Sequence, residues 1–327
     1  MKTYILDNFI KEVRRCVDTH KLENDGEYRR WLWGENRELG INEYGVADAA
    51  NILYTINDFP QNKKVREGFV RVLQNMQNPE NGMFRERTHH TIHTTAHCTA
   101  ALELFDAKPL YDCKMLERLK DKDTLYSFLD NELDWNKPWG ESHKGAGLFV
   151  SMTNADMVDL EWKNWYFDWM WENSDPETGF IVRGKKTAPL HEYMAGGFHY
   201  MFNHESERRP YRYPEKLIDT SIYLMENRMG GMIKKCGFIE IDIVYCLSRA
   251  MRQSPHRFYE AKKALEDFAE EFIEFLYSLD YEKDEWFNDL HMLFGTMCCL
   301  AELQAVLPGK ILTSKPLRLV LDRRPFI

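Results

Sequence analysis

Apolar positions along this chain recur at three- and four-residue intervals far more often than they alternate, so helical periodicity dominates and strand patterning is scarce. Phe9, Ile10, Val13 and Val17 form a first stripe on a helix predicted over about 7–20, with Asp7 as its cap. A second helix is predicted over 44–54, stopped by Phe59-Pro60, and a third over about 62–77 carries Val65, Phe69, Val72, Leu73 and Met76. The pattern then predicts helices over about 93–105 and 113–133, a short one ending near 152, and further helices over 156–171 and 191–202. Helices from Pro214, over 239–251, from Pro255 to about 277, and over 289–306 complete the series.

These helices pair. The second members begin near Tyr44, His93, His143, His191, Ile239 and Asp289, at intervals of about 49 residues, and a fixed period of that length marks a repeat architecture. They are also rich in small residues, such as Ala47, Ala49 and Ala50, Thr94 to Ala96, Gly145 to Gly147, and Ala195 to Gly197. Small residues let helix axes approach closely, as a crowded inner ring requires. The expected fold is therefore all-α, an (α/α)6 toroid of six helical hairpins around a central cavity, formed by a single domain over residues 1–327.

A turn device recurs with the helices. Asn78-Pro-Glu-Asn-Gly82-Met-Phe matches Asp175-Pro-Glu-Thr-Gly179-Phe-Ile. His93 stands at the eleventh residue after Gly82, His191 at the twelfth after Gly179, and Asp242 at the eleventh after Gly231. In a closed ring the inner helices would point their N-termini to one end, bringing Asp48, His89, His90, His93, His97, Glu141, His143, His191, Glu192, Glu240, Asp242, Asp289 and His291 towards one cavity.

Three chemistries suit such a set. His93 and His97 are one helical turn apart and could present two imidazoles to one ion, but no His-Glu-x-x-His motif accompanies them. Hydrogen bonding to a polar ligand is the favoured reading, with no metal and no cofactor expected. Acid/base catalysis needs one carboxyl protonated and another ionised, and the candidates are Asp242, Glu192, Glu141 and Glu240. Asp242 lies in the apolar run Phe238-Ile-Glu-Ile-Asp-Ile-Val-Tyr245, where burial would raise its pKa; the plainer alternative is helix capping. Finally, Arg85, Arg87, Arg183, Lys185, Lys186, Lys234 and Lys235 follow the turn glycines and would favour an anionic ligand if they gathered at the cavity mouth.

Composition narrows the classes. A formal charge of −9 argues against general nucleic-acid binding, and no uncharged apolar run reaches the roughly 18 residues of a membrane span. Charge appears too early in Met1 to Asp7 for a secretory signal, and the seven cysteines show no Cys-x-x-Cys spacing. A cytoplasmic protein with reduced thiols, with no nucleic-acid or membrane partner, is expected.

The repeat also carries a resemblance. Gln74-Asn-Met-Gln77-Asn-Pro-Glu-Asn-Gly82-Met-Phe84 is similar to the Gln…Gly-x-Trp-type repeat of the terpenoid cyclase and protein prenyltransferase α/α-toroids, with Phe84 in the usual Trp position. Asp175-Pro-Glu-Thr-Gly179-Phe180 resembles a turn of six-hairpin glycosidases and sugar epimerases. Glu240-Ile-Asp242-Ile243 matches the Asp-x-Asp-Asp acid motif of class II cyclases outright only at its middle Asp, and the prenyltransferase zinc arrangement has no clear counterpart.

The leading expectation is a carbohydrate-active enzyme, by default a hydrolase of a small, acidic or neutral glycan or glycoside. Its carboxylate acid/base pair would be drawn from the four candidates above. Asp48, His93, His97, His143, His191, Asp289, His291, Arg85, Arg183 and Trp139 would bind the substrate. An isoprenoid-processing enzyme and a non-catalytic binding or scaffold protein are the alternatives.

Overall fold

A computed structural model of the chain describes residues 1–35, 37–233 and 237–327, and Lys234 and Lys235 of the basic set lie outside the described residues. The described chain is mostly helical, with one short parallel pair of strands, β1 (Tyr4–Ile5) against β2 (Ile311–Leu312). In order the helices are α1 (Asp7–His20), α2 (Glu43–Thr55), α3 (Lys63–Met76), α4 (Thr91–Glu103), α5 (Lys122–Ser127), α6 (Pro138–Asn154) and α7 (Leu160–Glu172). There follow α8 (Leu190–Ser206), α9 (Pro214–Glu226), α10 (Ile239–Gln253), α11 (Phe258–Ser278), α12 (Glu285–Asn288), α13 (Leu290–Val306) and α14 (Val320–Arg323). None of them is long and apolar enough to cross a membrane, among the described residues.

Local chemistry starts and stops these elements. Asn42 caps α2 by accepting from Tyr44 N at 2.9 Å, and Asn62, Asp159 and Asp289 cap α3, α7 and α13 in the same way. Pro138 and Pro214 open α6 and α9, where a missing N–H costs nothing. Asp7 is not a cap: it lies within the first turn of α1 and accepts from Ser314 N at 2.7 Å, tying the start of the chain to the segment after β2.

Two helical spans differ from the sequence pattern. The helix expected over 113–133 is broken into a 3-10 segment, Lys114–Lys120, then α5, then a π turn, Phe128–Glu132. Asp121 breaks it: its backbone is extended and its side chain accepts from Thr124 N at 2.9 Å, which starts a new helix. Conversely α6, expected to be short, runs for 17 residues from Pro138.

Six helices lie deepest. In sequence α2 packs on α4, α4 on α6, α6 on α8, α8 on α10, α10 on α13, and α13 returns to α2. Nearly every side chain of α2, α4, α10 and α13 is buried, including Ala47, Ala49, Ala50 and Ala96, whereas α1, α3 and α11 bury a single stripe. That contrast separates surrounded helices from half-exposed ones. One apolar cluster extends from Tyr4 to Ile327.

The two Pro-Glu-x-Gly turns are built alike. Gly82 N donates to Asn78 O and Gly179 N to Asp175 O, each at 2.8 Å, while Asn78 N and Asp175 N donate to Met83 O and Phe180 O. Both glycines have positive φ, +73° and +84°. A Cβ on Gly82 would lie 1.8 Å from Asp112 O, and one on Gly179 2.6 Å from Leu217 N, so only glycine fits.

An ionic cluster centred on the buried Arg249 fastens the chain's last segment to the deepest helices. Arg249 of α10 bonds Glu302 of α13 and, at 2.5 Å, Asp322 of α14, with Glu205 of α8 at 3.5 Å. Phe326 and Ile327 are buried beyond α14, and the Phe326 ring lies 4.8 Å from His93 and 5.4 Å from Phe202.

Candidate functional site

A cavity of about 80 Å³ is lined by His89, His93, His143, His199, His291 and Asp242, with Trp139, Phe238 and Ile327 completing its wall. His93 comes from α4, His143 from α6, His199 from α8, Asp242 from α10 and His291 from α13.

Repeat spacing creates the first half of this site. Tyr44 and Asp48 are one turn apart on α2, and His93 and His97 are one turn apart on α4, each 49 residues later. The adjacent helices therefore meet rung by rung: Tyr44 Oη lies 2.5 Å from His93 Nδ1, and His97 Nε2 lies 2.7 Å from Asp48 Oδ1. His291 of α13 reaches the other Asp48 oxygen, with Nδ1 at 3.0 Å. The Tyr44 ring stacks on His89 and His97, with centroids 4.5 and 4.8 Å away, and meets His291 edge-on at 4.6 Å.

Electrostatics follow from burial. Asp48 is fully buried, which by itself opposes its charge, yet His97 and His291 hold its carboxyl well below the usual carboxylate range. Burial pushes the His291 imidazole down to about 4 against the pull of Asp48, and lowers that of His97 too. The arrangement is an ionised carboxylate accepting from two neutral rings.

The second half is a run of three imidazoles. His93 and His143 have ring centroids 4.5 Å apart, and His143 and His199 4.7 Å apart. One nitrogen from each lies within 4.8 Å of the others. His199 Nδ1 is 3.0 Å from Ser142 Oγ, whose own proton goes to Trp139 O at 2.6 Å. Burial pushes His199 down to about 3 and lowers His93 and His143 well below the ordinary histidine value, so all three rings are neutral.

The carboxyls of α10 differ from Asp48. Glu240 Oε1 accepts from Ile233 N at 2.6 Å, and burial raises this carboxyl to about 7. Asp242 is 1% exposed, and its Oδ2 has no hydrogen-bond partner among the described residues. Burial, with Glu240 nearby, raises the Asp242 pKa well above the ordinary carboxylate value.

Asp48, His93, His97, His143, His291, Asp242 and Trp139 thus come together at or directly behind one cavity. The other expected site residues do not line it. Glu141 pairs with Lys144 and accepts from Asp134 N at 3.1 Å. Glu192 is half-buried in the first turn of α8. Asp289 caps α13 and forms two bonds with Arg30, at 2.8 and 3.0 Å. Arg85 is exposed, and Arg183 pairs with Asp130 at 3.0 Å. His90 caps α4, accepting from Ile92 N.

His191 is the instructive correction. A 49-residue step from Ser142 reaches His191, but Ser142 meets His199, 57 residues on, and Ala146 O accepts from Asn203, also 57 on. In the register of α6 against α8 the partner of Ser142 therefore lies eight residues, about two helical turns, beyond His191. His191 consequently rises beyond the cavity, and its ring would lie 3.1 Å from a Cβ on Gly230. Sequence reasoning missed His199, the Ser142 hydroxyl behind it, Tyr44, and the tail residues Phe326 and Ile327. The matched pairs Tyr44/Asp48 and His93/His97 could have revealed Tyr44; no spacing reveals an axial shift.

Comparison with protein-family models, curated proteins and solved structures finds no match for this chain.

Proposed function

We propose that this chain is an enzyme that turns over a small, polar, sugar-like molecule by proton transfer, in a cavity at one end of an (α/α)6 toroid. The cyclic order of packing among α2, α4, α6, α8, α10 and α13 supports the toroid. The observation that carries the enzymatic reading is Asp242: a buried carboxyl with an oxygen unpartnered among the described residues, at a cavity that five imidazoles also line. Asp242 is the proton donor in this reading. His291 is the base, with Nδ1 held by Asp48 so that Nε2 is left for substrate, the orienting logic of an Asp–His pair. Hydrolysis is the default reaction for such a pair.

The lining selects among substrates. Five imidazoles and a carboxyl suit hydroxyl groups, while Trp139, Phe238 and Ile327 supply an apolar wall on which the face of a sugar ring can lie. At about 80 Å³ the cavity admits one small molecule or the end of a larger one, not the body of a polymer. Arg85, which is exposed, and Arg183, which pairs with Asp130, are not among the residues lining it, so a neutral sugar is the favoured ligand. A non-catalytic binding protein is the second reading, favoured by Phe326 and Ile327, which fill part of the interior.

A panel of chromogenic monosaccharide glycosides, assayed with wild type, Asp242→Asn and His291→Gln, tests the proposal. Turnover by wild type and its loss in both variants, with unchanged circular dichroism, is the expected result. Full turnover in both variants would return these residues to structural roles. Saturable sugar binding without turnover would favour the second reading.

A further inference from the structure

We propose that His93, His143 and His199 form a site for one divalent transition-metal ion of the zinc class, with its remaining coordination position open to the cavity. Three consecutive inner helices each supply one imidazole, and one nitrogen from each lies within 4.8 Å of the others. Around one tetrahedral ion at about 2.0–2.1 Å, ligand nitrogens stand roughly 3.3 Å apart. Ring rotations of the kind an ion induces would close the difference.

The hydrogen bonds behind the rings support ligation. The Ser142 hydroxyl donates to Trp139 O, so towards His199 it can only accept. His199 Nδ1 therefore carries the proton, and Nε2 keeps the lone pair a metal needs. His93 Nδ1 lies 2.5 Å from the Tyr44 hydroxyl, and ligation through Nε2 requires that hydroxyl to accept from Nδ1–H, as Ser142 does from His199. Such outer partners fix ring orientation in metal centres. A second observation is independent of the rings: Asp242 Oδ2, buried and without a partner among the described residues, lines the same cavity. A cation there, or a water bound to it, gives that oxygen a partner. An all-imidazole donor set selects zinc-like ions over magnesium or calcium, which take oxygen ligands.

The neighbouring group of Asp48, His97 and His291 has comparable spacing but a different state. Both Asp48 oxygens already accept from the two rings, so its ligand atoms satisfy one another. The ion belongs to the other trio, whose three rings, among the described residues, make no hydrogen bond to one another.

The claim concerns binding and is read without turnover, so it stands or falls separately from the hydrolase reading. Untagged protein stripped with chelator is titrated with Zn²⁺ by calorimetry and with Co²⁺ by visible absorption. One ion per chain is expected, with the intense spectrum of tetrahedral Co²⁺. His143→Ala and His199→Gln should each weaken binding by more than about 100-fold, and Ser142→Ala by about 10- to 100-fold, as loss of an outer partner does. His97→Gln should leave affinity within a few-fold of wild type. If a ligand variant does not fold, X-ray absorption on the wild-type zinc form decides, with three imidazoles expected. Absence of stoichiometric binding overturns the proposal. So does an ion retained in His143→Ala and lost in His97→Gln, which would move the site to the Asp48 group.

Discussion

Glu240 shows how burial governs the carboxyls beside the cavity, and the effect is measurable without a substrate. The residue is 2% exposed, and burial raises its carboxyl from 4.5 to about 7. The folded value lies above the unfolded one, so the unfolded chain releases this proton first. Stability is therefore intact below about pH 4.5 and falls as the pH rises through 7. At about 1.4 kcal/mol for each pH unit between the two values, the loss reaches roughly 3 kcal/mol above neutrality. Glu240→Gln keeps the carbonyl that accepts from Ile233 N and removes the titration. The variant should gain about 3 kcal/mol over wild type near pH 8, and little near pH 5. Glu240 also raises the pKa of Asp242, so the two titrate as a pair and some of the gain reflects easier ionisation of Asp242. Urea unfolding at both pH values provides the assay, with midpoints compared at equal slope. Wild-type and variant midpoints separated by the same amount at both pH values would refute the reasoning.

Two further outcomes follow from packing. Arg249→Met should cost about 3–5 kcal/mol in urea unfolding, because it strands the buried Glu302 carboxyl, and adding Glu302→Leu should recover most of that loss. Gly82→Ala should cost more than about 2 kcal/mol, since positive φ is joined by a clash with Asp112 O; Gly184→Ala, with equal φ but open space, should cost only about 1 kcal/mol in thermal melts.

The helices were legible because a three- to four-residue period reflects which face of one helix is buried, a property each segment carries locally. The same local logic identified both Pro-Glu-x-Gly turns, whose glycines the backbone requires. It failed over 113–133, where the Asp121 side chain competes for backbone N–H groups and starts a new helix inside one apolar pattern. Arg183 shows a different limit. Position in a turn says nothing about partners, and Arg183 is drawn to Asp130, a residue remote in sequence.

By itself the sequence determined the rungs within each inner helix, because residues three or four apart must share a face: Asp48 below Tyr44, His97 below His93, Asp242 in its apolar run. Only the tertiary structure decided which rungs meet across helices. Axial offset depends on side chains from distant segments interlocking, so α2 and α4 align at 49 residues while α6 and α8 align at 57. That two-turn shift replaces His191 with His199, and with it a half-buried ring at a helix start becomes a third imidazole at the cavity.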